Sequence, residues 1–417
     1  MTVSLSRIVV VLTVVMALPC IRLAADDSNW PQWRGPLGNG HSVEEGFPTK
    51  WSTDSVAWKV DLKGEGQSSP TIYGDRIYLT TALERGAKRV VFCLDRNDGQ
   101  LIWEKTAWTG TPNAAHKMNG WASASCTTDG THVYAFFGTA GGVYCYTMDG
   151  EQVWSKQIGA FNNVWGEAAC PLVVDDVVIQ VCDSDDNAYI TGLDKATGKE
   201  IWKTKRDNKR GWSSPILIND GGRRQVVVNG DTGVRSYDPL TGKEFWYCKS
   251  YNGRGTPTVT PGFDMLFTVN GKSGDVYAIK SDGMGNVTNT HQAWHTPRRV
   301  GRDLPSPILV GEHLMVASLR PGVLTSYNAL DGKVEWQGRV NGMYSSTPVS
   351  FDGLAFFINE AGETLAVKPG PKMEIVSANS VGAGDDEIFR ASLTPSGGQV
   401  FIRSNHRLYC IGKRQSK

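Results

Sequence analysis

Net charge is almost absent from this chain, in which 43 Lys and Arg stand against 42 Asp and Glu for a balance of +1. A surface with so little field gives no reason to expect nucleic acid or an anionic membrane as a partner. No apolar run is long enough to cross a bilayer, which takes about 20 residues; the stretch Ile8 to Leu18, broken by Thr13, falls well short. No serine sits on a nucleophile elbow, and the glycines mark β-turns rather than the start of a helix that would cradle phosphate. The histidines stand at unrelated positions. Even His291 and His295 lie on no predicted helix that would aim both at one ion, so no metal site is expected.

What the chain does have is a repeat. Asp194-Lys195-Ala196-Thr197-Gly198-Lys199-Glu200-Ile201-Trp202 recurs as Asp238-Pro239-Leu240-Thr241-Gly242-Lys243-Glu244-Phe245-Trp246, and in altered form at Asp95 to Trp103, Thr147 to Trp154 and Asn328 to Trp336. Each copy reads as an apolar strand, a tight turn on Gly and a second strand whose Trp falls four residues after that Gly. Successive tryptophans, Trp58, Trp103, Trp154, Trp202, Trp246, Trp294 and Trp336, are spaced by 42 to 51 residues. That period holds four short strands and their turns, the content of one propeller blade. The 47 glycines suit a fold made largely of turns.

Taken in order, residues 1–25 read as an export signal: Arg7, the short apolar core, then Leu23-Ala24-Ala25. The mature protein is therefore expected outside the cytoplasm, periplasmic or extracellular, with no transmembrane segment. Leu18-Pro19 before Cys20 makes a poor lipidation signal, so no lipid anchor is expected. Residues 26–55 lie outside the repeat and are rich in Trp, Pro and Gly; they are expected to form an irregular arm packed on the body. Residues 56–417 contain the repeats. Eight strand starts carry a small residue followed by Pro or its equivalent: Ser69-Pro70, Ser125-Cys126, Cys170-Pro171, Ser214-Pro215, Thr256-Pro257, Ser306-Pro307, Thr347-Pro348 and Ser392-Leu393. Pro is tolerated at the first residue of a strand.

The last copy ends after three strands, whereas Ala57 to Leu62 is a fourth strand with none before it. Joining the two would close the ring and leave no open edge. The expected fold is all-β, an eight-bladed β-propeller of four-stranded antiparallel blades closed by an N-terminal strand, with seven blades as the fallback. With its Gly-x-x-x-Trp repeats and Ser-Ser-Pro blade starts, the chain resembles the pyrroloquinoline-quinone-like β-propeller family over nearly all of residues 57–412. That family includes quinoprotein dehydrogenases, which bind the quinone with calcium, and BamB-like propellers without a cofactor. The resemblance implies an adjacent Cys-Cys pair for a dehydrogenase, and this sequence has none.

In such a blade the blade-to-blade and second-to-third connections share the top face. The position three before each Pro-equivalent gives Gln67, Ser123, Ala168, Trp212, Arg254, Leu304, Ser345 and Arg390, with Glu167, Arg302, Asp303, Asp386 and Glu387 on the same loops. Gln67, Glu167, Trp212, Arg254, Arg302, Asp303 and Arg390 form the candidate ligand site at the channel mouth. Arg254 and Arg390 would be the bidentate donors to a small anionic ligand; the competing reading has these charges pairing with one another. No catalytic residue is assigned. The run Asp183-Ser184-Asp185-Asp186-Asn187 resembles the start of a calcium loop, but Ala188 stands where the turn needs Gly. Seven cysteines follow the signal; Cys93, Cys145 and Cys410 share one third-strand position, which argues for small buried groups. Cys126 and Cys170 are the candidate disulfide.

The chain is thus expected to be a monomeric exported scaffold that holds a protein partner or small anionic ligand at its top face. The reading leans away from catalysis, and no cofactor is expected. The alternative is a periplasmic oxidoreductase using pyrroloquinoline quinone with calcium. A second alternative, a glycan-binding propeller, rests on Trp108, Trp121, Trp165 and Trp212 as exposed aromatics.

Overall fold

The computed structural model describes residues 28–161, 163–250, 253–298 and 304–413. The expected leader, with Cys20, and the candidates Arg302 and Asp303 lie outside them. Eight antiparallel sheets follow one another round a ring, as expected. The first blade runs Thr71–Tyr73, Arg76–Leu83, Lys88–Asp95 and Leu101–Thr109 from the centre outward. The eighth takes Thr394–Ser396, Gln399–Arg403 and Arg407–Ile411 from the C-terminal end and Val56–Asp61 from the N-terminal end. That closing strand pairs antiparallel, with Lys59 opposite Tyr409. One sheet differs from the expected four strands. In the fourth, Gly285–Asn286 adds a short parallel fifth strand to Glu244–Lys249.

Steric fit explains the Gly-x-x-x-Trp element. Directly across from the tryptophans stand Cys93, Cys145, Gly192, Ser236, Ala278, Ser326 and Cys410, all small enough to let the indole cross its own sheet. The ring then covers the turn glycine of the next blade. A methyl group on Gly99, Gly150, Gly198, Gly242 or Gly332 would lie 2.3 to 2.8 Å from the preceding Trp, and each of these glycines has positive φ. The indole N–H completes the junction: Trp103 donates to Met148 O at 2.9 Å, Trp154 to Lys195 O at 2.9 Å and Trp336 to Gly370 O at 2.9 Å. Trp246 is the exception. It donates to Gln225 in its own blade at 2.8 Å, because the next blade replaces the tight turn with the longer connection that carries Gly285–Asn286.

At the centre a second staple repeats. The amide of Ser69 donates to Ser125 Oγ at 2.7 Å, Cys170 to Ser214 Oγ at 2.9 Å, Ser214 to Thr258 Oγ1 at 3.0 Å, Thr258 to Ser306 Oγ at 2.9 Å, and Ser392 back to Ser69 Oγ at 2.9 Å. Ser125 donates to the Cys170 sulfur at 3.2 Å. Cys126 and Cys170 form no disulfide; all seven described cysteines are buried single thiols. Burial raises the Cys126 and Cys170 pKa values and keeps them as thiols. These blade-start residues serve as packing and hydrogen-bonding groups.

The arm crosses the bottom face, where the first-to-second-strand turns lie. Asn29 Oδ1 accepts from Gly74 N at 2.7 Å, and Trp30 exchanges two backbone bonds with Ile72 at 2.9 Å. Pro31 O accepts from Thr128 N at 2.8 Å. Arg34 reaches the far side of the ring, where its guanidinium donates to Val259 O at 3.0 Å and to Thr260 Oγ1 and Pro307 O at 2.9 Å. The chain then follows the seventh blade: Asp352 accepts from the Gly46 and Phe47 amides at 2.7 Å, and Trp51 stacks on Phe356. From there it enters the closing strand.

Candidate functional site

The channel forms a well of about 210 Å³. Gln67, Trp212, Arg254 and Arg390 line it together, as do Ser123, Leu304 and Ser345 from the same expected ring. Trp33, from the arm, borders both this well and a second cavity between the arm and the inner strands of blades three and four, so it forms the floor.

Registration within the ring corrects one position. Thr258, not Thr256, occupies the stapling site of the fifth blade, since Ser214 N donates to it and it donates to Ser306. Gly255 O correspondingly accepts from Trp212 N and Ser213 N, as Ala122 O does from Gln67 N and Ser68 N. The ring position equivalent to Gln67 is therefore Thr256, and Arg254 stands two residues further out. The Pro257 signal misled the count because this blade begins two residues after its Pro.

Arg254 belongs to a cluster built on Trp165. Its guanidinium lies 4.2 Å from the Trp165 ring centroid and that of Arg210 4.9 Å, while Trp212 stacks on the same indole at 5.8 Å and 12°. Backbone contacts fix the cluster: Asn119 Nδ2 donates to Trp165 O at 2.9 Å, and Trp212 Nε1 to Gly166 O at 2.7 Å. His116, Met118, Asn119 and Trp165 all line the well. The blade repeat could not point to them, since they sit in long loops outside its period.

Arg390 does not serve as a free ligand donor. Its guanidinium pairs with Glu360 at 3.0 and 3.4 Å and reaches Lys117 O at 3.2 Å, and Ser345 Oγ donates to the same carboxylate at 2.8 Å. The ion-pairing reading holds at this position. Glu167 lies off the well. Its carboxylate turns inward against Gly138, where a methyl would come within 2.2 Å of it. Burial pushes its pKa up to about 7, opposed by the nearby Arg89 charge. Asp386 and Glu387 also face other partners: Glu387 accepts from Arg407 at 2.8 Å and Tyr409 at 2.6 Å, and Asp386 lies 3.3 Å from His406. Among the described residues no Asp or Glu lines the well.

Two further expectations change. Trp108, Trp121, Trp165 and Trp212 are all half-buried rather than exposed: Arg89 covers Trp108 at 4.7 Å, and Trp121 donates to Asn113 O at 2.7 Å. Asp183 is spent in a fully buried bidentate pair with Arg206, at 2.6 and 3.2 Å, and also accepts from Asn208 at 2.6 Å. Among the described residues no three His, Cys, Asp or Glu side chains converge to hold a metal.

Comparison with known proteins places this geometry. The family model described as outer membrane protein assembly factor BamB matches residues 48–182, 87–337 and 186–417. The chain is 24% identical over 185 residues to the outer membrane protein assembly factor BamB of Moranella endobia, across 44% of this chain and 42% of that protein. It is 25% identical over 204 residues to the quinohemoprotein alcohol dehydrogenase ADH-IIG of Pseudomonas putida, across 44% of this chain and 26% of the enzyme. Each match spans less than half the length of the curated relative. The crystal structure of BamB from Moraxella catarrhalis superposes with a TM-score of 0.64 at 15% identity, covering 86% of this chain and 97% of that one.

Proposed function

The chain belongs to the outer membrane protein assembly factor BamB family of PQQ-like repeat propellers, and from that premise we propose that it is an exported scaffold whose top face holds a partner protein. One observation carries this reading: among the described residues the two faces of the molecule are finished differently. Its own arm occupies the bottom face, whereas the top presents a preformed cluster of two half-buried tryptophans and two guanidiniums. Aromatic and Arg side chains held rigid before contact are the residues that dominate protein interfaces. The family name supplies the class of role, assembly, and the leader read from the sequence supplies the compartment. No helix among the described residues is long and apolar enough to cross a membrane.

The test is recovery of the exported chain with its bound proteins, wild type beside Trp212→Glu and Leu37→Glu. Leu37 is an exposed arm residue, 59% accessible. The scaffold reading expects partners to be lost with the top-face change alone; loss with Leu37→Glu alone contradicts it. The oxidoreductase reading is favoured by the match to the alcohol dehydrogenase. It predicts dye reduction by the purified chain with an alcohol, pyrroloquinoline quinone and calcium.

A further inference from the structure

We infer that the well is a socket for one donor-bearing aromatic side chain, a tryptophan or tyrosine presented by the partner protein. The inference rests on the reading of the top face as the recognition face and adds what that face grips.

Much of the polar wall is already committed within the fold. Arg390 is held by Glu360, Arg254 lies over Trp165, and the Ser125 and Ser214 hydroxyls each accept a belt amide and bond the Cys170 thiol. Beside these groups the well presents apolar surface: Trp33 from below, and Met118, Trp165, Ala168, Trp212 and Leu304 around the wall. Size then decides which guest fits. A dry cavity of about 150 Å³ admits benzene, whereas small-molecule and cofactor pockets run from about 300 to 1,000 Å³. At about 210 Å³ the well has room for one ring system larger than benzene. The chain already places one such group in the channel, since Trp33 of the arm forms its floor.

Three oxygens select among ring systems. Gln67 Oε1, Asn119 Oδ1 and Thr256 Oγ1 belong to residues that line the well, and among the described residues these buried atoms have no hydrogen-bond partner. Turning the Asn119 amide over does not relieve this, because its nitrogen is fixed on Trp165 O at 2.9 Å. An unpaired buried acceptor is costly, so the fitting guest brings a donor. The indole N–H of tryptophan and the phenol O–H of tyrosine supply it from a ring, whereas phenylalanine and leucine do not. Aromatic side chains seated in pockets of this kind are the anchors of protein interfaces.

The mature full chain is titrated, by saturation-transfer difference NMR, with the N-acetyl amides of L-tryptophan, L-tyrosine, L-phenylalanine and L-leucine. The expected result is saturable binding of the tryptophan and tyrosine amides with Kd on the order of 1 mM or tighter. The phenylalanine amide should bind about fivefold more weakly, the effect of one hydrogen bond, and the leucine amide more weakly still. Ala168→Trp fills the well from its own wall and should abolish binding of all four; Leu304→Trp serves if Ala168→Trp fails to fold, which near-ultraviolet circular dichroism reports. The inference is overturned by no saturable binding of the tryptophan and tyrosine amides, by the phenylalanine or leucine amide binding as tightly, or by unchanged affinity in a folded well-filling variant. If the amides fail while Trp212→Glu still loses the partner protein, the side-chain inference falls alone. If the amides bind while Trp212→Glu keeps its partners, the well takes a free aromatic compound, and the inference falls together with the reading of the top face.

Discussion

The two ends of the channel are built from the same eight blades yet finished in opposite ways. At the bottom, Trp30 is 2% and Arg34 1% exposed, and the Arg34 guanidinium is spent on carbonyls and a hydroxyl with no carboxylate beside it. Burial pulls its pKa down to about 9, still charged at neutral pH. At the top, Trp165 and Trp212 are half-buried and Arg254 lies on an aromatic face. The Arg34 guanidinium is enclosed by the fold, while at the top Arg390 pairs with Glu360 and the Arg254 and Arg210 guanidiniums lie on the Trp165 ring. An arm that covers one face leaves the other as the proposed recognition face.

Substitutions can break this contrast, and those at the bottom should cost the most stability. Trp30→Ala removes a buried ring that packs over Gly35; a loss of about 4 kcal/mol is expected, read from the urea midpoint. Arg34→Met leaves Val259 O, Thr260 Oγ1 and Pro307 O without their donor and should cost about 3 kcal/mol. Glu167 lies between the two regimes. Its folded pKa is raised to about 7, so the protonated folded form is favoured, and that contribution is lost as pH rises from the unfolded value of 4.5 through 7. Melting temperatures of wild type and Glu167→Gln should therefore converge near pH 5 and separate by pH 8, with the variant the more stable there. At the top, Trp212→Ala should cost only about 1 kcal/mol of stability while abolishing partner capture, the reverse of the bottom-face pattern.

Much of the fold could be read from the chain because one steric relation recurs. A Trp crosses its sheet where the facing residue is small and lands on a glycine of the next blade, so Gly198 and Trp202 in one copy imply Gly242 and Trp246 in the next. Closure by Ala57 to Leu62 followed from counting strands. The site was less legible. Pro257 placed Arg254 two residues out of register, since Pro marks where a strand can begin and not where the staple falls. The Arg390–Glu360 pair joins residues 30 apart on neighbouring blades, and loop residues such as Trp165 and His116 carry no period. The arm was visible only as a composition. That Trp33 floors the channel and Arg34 spans it depends on backbone turns at Arg34, Gly35, Gly38 and Gly40, all with positive φ.

Hydroxyl-radical footprinting tests one-ended recognition most directly, on the mature protein alone and in the complex recovered with its partner. The account predicts that Trp165 and Trp212 oxidise readily in the free chain and become protected in the complex. Trp30 should stay protected in both, and Leu37 should react equally in both. Protection of Leu37 with Trp165 and Trp212 unchanged would contradict it and place the binding face on the arm.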